Sequence, residues 1–378
     1  MIARRPRPAK RHHAAIIKGW DHSSPSVQTP LHHALASAGA GVRMGDFGGA
    51  DTAATFGDVT AEWTALRSGA GVYDLGRRAK LVVRGNDRVR WMNGMVTNNI
   101  RDLANDHGTY NFLLNAQGHI LADMYIYNRG DHMVVDTDVA QAPAVLQLFD
   151  KFIIMDEVEV ADISDQLTAI GVAGPKAAEV LGAIGFGVPV GPLAAVTAAW
   201  NDAAATVIRK DTHHTIEIWL APANAETLWD ALVAAGATPV GYEALELARI
   251  AEGTPRFGVD IREKDLPQET AQQRALDFNK GCYLGQEIVE RIHARGAVHR
   301  SLAGFEISGG KPAPGAKVTA GGKDVGQLTS VAQLPNGSRR TLALGYIRRE
   351  AGKPGSEVEV EGAKARVSSL PFSLESSQ

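Results

Sequence analysis

The sequence predicts an α+β protein with a β-rich C-terminal domain. In the first two thirds, strand-like segments follow one another as hairpins and meanders, without the strand–helix–strand alternation of a doubly wound sheet. After about residue 296 the helical patterns cease, and short strands broken by glycine-rich turns, including Asn336-Gly337, indicate a small antiparallel barrel. At about 150 residues per domain, a chain of 378 residues has room for two or three domains.

The first elements belong to an antiparallel meander and one helix. Lys80–Arg84 reads as a strand, and Asn86 or Asp87 in the turn after it could cap a helix that carries Val89, Trp91 and Met92. Alternating apolar residues separated by turn residues then predict three strands, at Tyr110–Leu114, Ile120–Tyr127 and His132–Asp136.

The following segment mixes helices with a second set of strands. Helices are predicted at Pro175–Leu181, at Ala225–Ala235 with Asn224 as cap and Gly236 as stop, and at Tyr242–Glu252. Between them, strands are predicted at Val196–Trp200, Ala205–Lys210 and Thr215–Leu220. The stretch from Leu181 to Trp200 is uncharged, but its glycines and prolines favour a helix end, a loop and a strand over a membrane span.

Composition narrows the classes of function. A net charge of −3 gives no basic surface for nucleic acid. A single cysteine excludes an intrachain disulfide and gives no reason to expect a permanently bound metal. Residues 1–26 are basic up to Asp21 and lack a signal-peptide core. Such a leader could be an organelle transit peptide, but serine is scarce before Ser23, which favours a disordered or non-native extension. We expect a cytoplasmic, monomeric protein that does not enter a membrane.

The only cysteine, Cys282, lies in an eight-residue segment that carries chemistry. The apolar positions Ile288, Val289 and Ile292 predict a helix that starts just after it. A helix N-terminus and the nearby Lys280 both favour the thiolate, which is the reactive form of cysteine. The alternative is a small buried apolar residue, which is the commoner use of a lone cysteine.

The segment Lys280-Gly281-Cys282-Tyr283-Leu284-Gly285-Gln286-Glu287 matches the signature K-G-C-[YF]-x-G-Q-E of the YgfZ-type folate-binding proteins. These resemble the glycine cleavage T-protein and act in iron–sulfur cluster assembly or repair. Gly71–Leu75 and Arg249–Ile261 resemble further T-protein elements, so the similarity covers roughly residues 29 to 350. It implies ferredoxin-like N-terminal parts around a central channel, in domains at 27–160, 161–295 (ending in the signature) and 296–378 (the barrel).

The resemblance also implies a site for tetrahydrofolate or a derivative. Glu217 occupies the place of the T-protein glutamate, and a carboxylate can accept two hydrogen bonds from a pterin edge. Arg249 matches a family arginine suited to the folate carboxylates. The alternatives are a solvated Glu217 on an alternating strand, and an exposed Arg249 paired with Glu246 or Glu252. Apolar walls for the ligand could come from Met95, Tyr110 and Trp219.

Two positions depart from the T-protein pattern. Ala122 stands where the first of two adjacent aspartates is expected, and only Asp123 remains. Ala251 stands where a glutamate is expected, with Glu252 one place later. Because aminomethyl transfer needs a positioned acid or base, Ala122 predicts poor transferase activity.

Three hypotheses follow. The first is a tetrahydrofolate-binding accessory protein for iron–sulfur client or scaffold proteins, in which Cys282 and Lys280 act directly with support from the rest of the signature. The second is an aminomethyltransferase of the T-protein type. The third is a non-catalytic folate-sensing module in which the signature forms only a tight turn. A dinucleotide-dependent dehydrogenase is not indicated, because no G-x-G-x-x-G follows a strand.

Overall fold

The computed structural model describes residues 26–211, 214–296, 298–335 and 340–374. The expected basic extension, apart from its last residue, and the predicted Asn336-Gly337 turn lie outside the described residues. The helices are α1 (His32–Ala36), α2 (Val59–Ser68), α3 (Arg88–Met95), α4 (Ala142–Phe152), α5 (Ala177–Ala183), α6 (Ala225–Ala234), α7 (Tyr242–Ala251) and α8 (Gln286–Arg295).

The strands supply most of the framework. In chain order they are β1 (Val27–Gln28), β2 (Arg43–Phe47), β3 (Ala50–Thr55), β4 (Gly71–Asp74), β5 (Arg78–Arg84), β6 (His107–Leu114), β7 (Ile120–Asn128), β8 (Met133–Asp138), β9 (Glu159–Asp162), β10 (Thr168–Ala173), β11 (Ala195–Trp200), β12 (Ala203–Arg209), β13 (Thr215–Leu220), β14 (Thr238–Pro239), β15 (Arg300–Ser308), β16 (Lys317–Ala320), β17 (Lys323–Gln333), β18 (Arg340–Arg348), β19 (Glu357–Val360) and β20 (Ala363–Ser368).

The first sheet has five strands in the order β6-β7-β8-β5-β9, and it contains the predicted meander. Helices α3 and α4 cover one of its faces, where Trp91, Met92 and Phe149 join a buried core. Asp87 lies at the cap position of α3, as predicted, but its side chain does not cap the helix. Its carboxylate instead accepts a hydrogen bond from the Glu157 N–H at 2.8 Å, which ties α3 to the segment before β9.

The second sheet has six strands in the order β11-β12-β13-β10-β4-β14, and a small third sheet has the order β1-β3-β2. Strand β4 comes from the N-terminal part of the chain, and Leu31 and Leu35 of the preceding segment share a core with Ile170 and Val172 of β10. The predicted domain boundary near residue 160 lies close to the point where the chain passes from the first sheet to the second. It does not account for β4, which comes before the first sheet in the chain but pairs within the second. The reason is burial: the apolar face of β10 is covered by residues far away in sequence.

The C-terminal domain is a closed barrel of six strands in the order β15-β18-β17-β16-β19-β20. This confirms the predicted β-rich C-terminal domain and, with the sheets, the α+β class. Helix α7 packs on the outside of the barrel, where Leu247 and Ile250 contact a core shared with Leu342 and Leu344. Helix α7 thus lies between the barrel and the sheets.

The uncharged stretch from Leu181 to Trp200 contains the end of α5, a loop and β11, as predicted. Across the described residues, the helices are all too short or too polar to cross a membrane.

Candidate ligand-binding site

A cavity of about 500 Å³ opens where the two sheets, α7 and the C-terminal segment meet, and we call it the central cavity. One wall is aromatic and apolar, and the others carry charged side chains from both sheets and from α7. Its lining includes Arg78, Tyr110, Asp123, Tyr125, Lys210, Glu217, Arg249, Glu252, Arg256, Phe257 and Arg274.

Glu217 lines the central cavity and is only 5% exposed, so the alternative of a solvated strand residue is wrong. Its Oε1 lies 3.2 Å from Nζ of Lys210, and its Oε2 accepts a hydrogen bond from the Trp219 indole at 2.9 Å. Burial works against the charge on Lys210, but Glu217 raises the pKa of Lys210 well above its ordinary value. These two contacts fix the orientation of the carboxylate and leave it lone pairs for a ligand.

A buried charge network stands behind Glu217. Asp136 is fully buried, accepts hydrogen bonds from Arg78 and from Lys80 at 2.9 Å each, and lies 3.8 Å from Lys210. Although burial opposes ionisation, Arg78 and Lys80 hold the pKa of Asp136 far below its usual range. Moving Lys210 out of this network would leave a buried charge unpaired, which is costly. The network therefore holds Lys210 in position.

Asp123 also faces the central cavity, next to Tyr110. Its carboxylate accepts hydrogen bonds from the Tyr110 hydroxyl at 2.8 Å and from the Gln141 amide at 2.9 Å. Burial, followed by the charge of Asp138, raises the pKa of Asp123. Asp123 is thus a held carboxyl group whose proton affinity is increased, as a general acid or base requires.

Ala122 points the other way, into the core beneath α3 and α4, because successive strand residues face opposite sides of a sheet. An acid at position 122 would therefore lie in an apolar core and not in the cavity. The expectation that Ala122 removes a catalytic acid is wrong on this geometry, since the cavity acid is the retained Asp123.

Arg249 lines the central cavity, but its guanidinium is already used within the protein. It donates to Glu246 and Asp260 at 2.8 Å and to the Ser330 hydroxyl at 2.6 Å. These bonds join α7 to the barrel and leave little capacity for a folate carboxylate. The alternative is therefore correct in one partner, Glu246, but wrong in describing Arg249 as exposed.

Arg256 is the cation that sequence reasoning missed. Its Nε and Nη1 atoms are buried and, among the described residues, find no hydrogen-bond acceptor, although Nη1 lies 3.4 Å from Glu246 Oε1. Burial lowers the pKa of Arg256. A ligand carboxylate would satisfy these donors. The sequence signal available was its place one residue after Pro255, within a stretch that already resembled the T-protein pattern.

Glu252 follows α7 and lines both the central cavity and an adjoining surface pocket. Burial raises its pKa to about 7. The glutamate that the family pattern places at position 251 would enter the core occupied by Ala251, whereas position 252 faces the cavity. The one-place shift therefore adds an ionisable group to the mouth of the cavity.

The predicted aromatic and apolar walls are partly correct. Tyr110 lines the cavity, and Tyr125, Phe257 and Arg274 join it without having been predicted. Met95 lies in the core below α3, and Trp219 supports Glu217 without lining the cavity. Met95 as a ligand contact is therefore wrong, because α3 covers the face of the sheet away from the cavity.

None of the residues of the signature segment lines the central cavity. Helix α8 begins at Gln286 as predicted, and Cys282 is exposed, so the buried alternative is wrong. Gly285 has φ +81° and packs against the β6–β7 turn, where an added Cβ would lie 2.5 Å from the Asn115 carbonyl oxygen. This contact holds the turn at the edge of the first sheet.

Lys280 does not act as a free positive charge beside the thiol. Its buried Nζ donates to three backbone carbonyls, those of Asn93 at 2.8 Å, Val96 at 2.6 Å and Asn98 at 2.6 Å. Burial also lowers the pKa of Lys280 to about 7. Its observed contacts are structural, because it ties the turn to the end of α3.

The other members of the signature support the turn. Tyr283 is buried against the first sheet, and the Gln286 side chain accepts a hydrogen bond from the Tyr283 N–H at 3.3 Å. Glu287 pairs with Arg291 on the surface of α8 at 2.5 Å. Gly281 lies beside Arg101, where an added Cβ would meet the guanidinium at 3.5 Å.

The two large sheets and the barrel, with the central cavity between them, form a three-part architecture. Two family models match this architecture, the "GCVT N-terminal domain" over residues 31–280 and the "Glycine cleavage T-protein C-terminal barrel domain" over residues 300–373. The chain belongs to the glycine cleavage T-protein family.

Individual similar proteins support this family assignment. An aminomethyltransferase of Thermus thermophilus is 30% identical over 361 residues, which cover 91% of this chain and 98% of that protein. An aminomethyltransferase of Herpetosiphon aurantiacus gives the same identity and coverage. The crystal structure of the glycine cleavage system aminomethyltransferase T from Bartonella henselae has a TM-score of 0.83 at 22% identity, covering 92% of this chain and 98% of that one. That structure supports the fold alone.

Proposed function

We propose that this protein binds tetrahydrofolate or a derivative in the central cavity and acts as an accessory factor for iron–sulfur proteins through Cys282. The observation that carries the folate part is Glu217, a carboxylate that Lys210 holds in orientation in the lining of a cavity large enough for a small ligand. Its lone pairs suit the adjacent N–H donors of a pterin, and Arg256 offers unsatisfied donors for a carboxylate.

The accessory part rests on a different surface. Cys282 is exposed on a turn fixed by Lys280 and Gly285, away from the central cavity. A thiol in this position is accessible to a client or scaffold protein but not to a ligand enclosed in the cavity. The folate would then act from within the protein, while the thiol acts at the surface.

A complementation experiment tests the accessory role. Cells that lack the protein receive the wild type, Cys282→Ser or Cys282→Ala, and iron–sulfur enzymes are assayed in parallel with the glycine cleavage reaction. We expect the wild type to restore the iron–sulfur enzymes and both variants to fail. Full rescue by the serine variant, or a defect confined to glycine cleavage, would reject the accessory role.

Aminomethyl transfer is the second candidate, and Asp123 favours it. This carboxyl group faces the cavity with an increased proton affinity, and the relatives described above are named aminomethyltransferases. The test is formation of methylenetetrahydrofolate from an aminomethyl donor by wild type and Asp123→Asn. A positioned acid or base typically contributes about 10²–10⁴-fold, so a loss of that size in the variant would establish the transferase. No turnover by the wild type would reject it.

A further inference from the structure

A second cleft, of about 280 Å³, lies between the loop after Ile261 and strands β17 and β18 of the barrel. We call it the barrel cleft. None of the residues that line it also lines the central cavity. It is smaller than the roughly 300–1,000 Å³ of sites for drug-sized ligands, so it fits a compact group.

Each acidic residue of the barrel cleft has a cationic partner. Asp265 accepts a hydrogen bond from Arg300 at 2.7 Å, and the same guanidinium lies 3.1 Å from Glu269. Asp324 pairs with Lys317 at 2.6 Å. These acids therefore add little negative potential to the cleft.

Three cations line the cleft without such partners. Arg262, Lys264 and Arg348 are exposed, and within the described part of the chain none of them forms an ion pair with a carboxylate. The Arg262 guanidinium donates to the Val259 carbonyl at 3.1 Å, while the backbone N–H of Arg262 donates to Asp265 at 2.7 Å. The cleft therefore has an excess of positive charge around a small volume.

A buried hydroxyl group gives the second, independent observation. Tyr346 lines the cleft and is 6% exposed, and its hydroxyl has no hydrogen-bond partner among the described residues. Arg300 lies 4.7 Å from the ring centre and holds it in place. Burial, assisted by Asp265, raises the pKa of Tyr346 well above its ordinary value, so the group keeps its proton as a donor. A buried donor without an acceptor is unusual and indicates a missing partner.

We propose that the barrel cleft binds a compact dianion with phosphate chemistry, either free phosphate or the phosphate group of a small monoester. Its oxygens can accept the Tyr346 hydrogen bond while the three cations balance the charge. A neutral ligand would leave these cations uncompensated. A monocarboxylate would balance only part of their charge.

The barrel cleft is connected to the central cavity by one carboxylate. Thr329 lines the cleft and donates a hydrogen bond to Asp260, whose other oxygen accepts from Arg249 of the central cavity at 2.8 Å. An anion in the cleft therefore lies next to a bond that positions a wall of the cavity. Phosphate binding to the cleft can be measured without folate, so its outcome is independent of the proposed function.

Calorimetric titration with inorganic phosphate, at constant ionic strength set with chloride, tests the proposal. We expect saturable binding by the wild type and a loss of affinity of roughly ten-fold in both Lys264→Gln and Tyr346→Phe. Lys364→Gln is the matched control, since it removes one exposed positive charge from another face of the barrel. Its affinity should stay within about two-fold of the wild type.

Glycerol phosphate distinguishes the two sources of the anion. Binding of both probes assigns the cleft to phosphate monoesters, and binding of inorganic phosphate alone assigns it to the free ion. The absence of saturable binding of either probe up to about 10 mM would overturn the proposal. Equal weakening in Lys364→Gln and Lys264→Gln would also overturn it, because it would reduce the effect to the overall charge.

Discussion

The central cavity and the turn that carries Cys282 are each organised by a buried lysine, but the two lysines have different partners. Lys210 pairs with the carboxylate of Glu217 at 3.2 Å, a side chain that also faces the cavity. Lys280 donates to three backbone carbonyls, and the nearby thiol remains exposed. Lys210 orients the Glu217 side chain, whereas Lys280 fixes the backbone around Cys282.

This difference separates two kinds of mutational effect. In the cavity, charged side chains are held by other charged side chains, so a substitution changes both the binding group and its neighbours. At the turn, the backbone is held by Lys280 and Gly285, while Cys282 contributes little packing. We therefore expect ligand affinity to depend on the cavity, stability of the turn to depend on Lys280, and chemistry at the surface to depend on Cys282.

The largest effect is expected for Lys280→Met. Methionine keeps the apolar stem but leaves three carbonyl groups without their donor, and each unsatisfied buried group costs about 1–3 kcal/mol. The free energy of unfolding should fall by about 3 kcal/mol or more in urea denaturation. Lys353→Met, at an exposed lysine, is the control. A loss smaller than about 1 kcal/mol would remove the distinction between the two lysines.

The second prediction concerns Glu217→Gln. The amide keeps the size of the side chain but loses the charge that pairs with Lys210 and would accept two pterin N–H groups. A charge-assisted hydrogen bond is worth about 1.5–3 kcal/mol, so affinity for tetrahydrofolate should fall by roughly ten-fold or more. Anaerobic calorimetric titration measures it, with Glu226→Gln on the exposed face of α6 as control. Unchanged affinity would place the pterin elsewhere.

The third prediction uses the ionisation of Glu252. Burial raises its pKa from 4.5 in the unfolded chain to about 7 in the folded protein, so the folded state holds a proton that the unfolded state releases. This contribution to stability is fully present below pH 4.5 and is lost as the pH rises through about 7. Glu252→Gln should be more stable than the wild type at pH 8 by about 1–3 kcal/mol, with a flatter profile between pH 5 and 8.

Denaturant unfolding across that pH range measures the effect of Glu252→Gln. The exposed-site variant Glu226→Gln should follow the wild-type profile throughout, because its carboxylate lies in solvent. If the profile of Glu252→Gln also runs parallel to that of the wild type, the carboxylate does not titrate in the cavity.

The smallest effect on stability is expected for Cys282→Ala. An exposed side chain at a position fixed by its neighbours should change the free energy of unfolding by no more than about 0.5 kcal/mol. Folate affinity should also be unchanged, because Cys282 does not line the central cavity. A large loss of stability or of folate affinity would show that the turn and the cavity are coupled, and would contradict their separate roles.

Local sequence patterns were sufficient for several of the elements, and family resemblance added part of the site. The meander of the first sheet, the strand that carries Glu217, the start of α8 and the antiparallel C-terminal barrel follow from alternation, turn residues and helix periodicity, which act over a few residues. Resemblance to family motifs then located Glu217 and Asp123, both of which line the cavity.

The tertiary structure alone decided which side chains are free to act. Strand β4 joins the second sheet across a long separation in sequence, which no local pattern encodes. Arg249 is occupied by Glu246 and Asp260, and Arg256 is left with unsatisfied donors. The ammonium group of Lys280 donates to backbone carbonyls in and just after α3, which is distant in sequence. Each outcome depends on partners brought together by folding, because burial and hydrogen bonding are properties of the packed chain and not of the residue type.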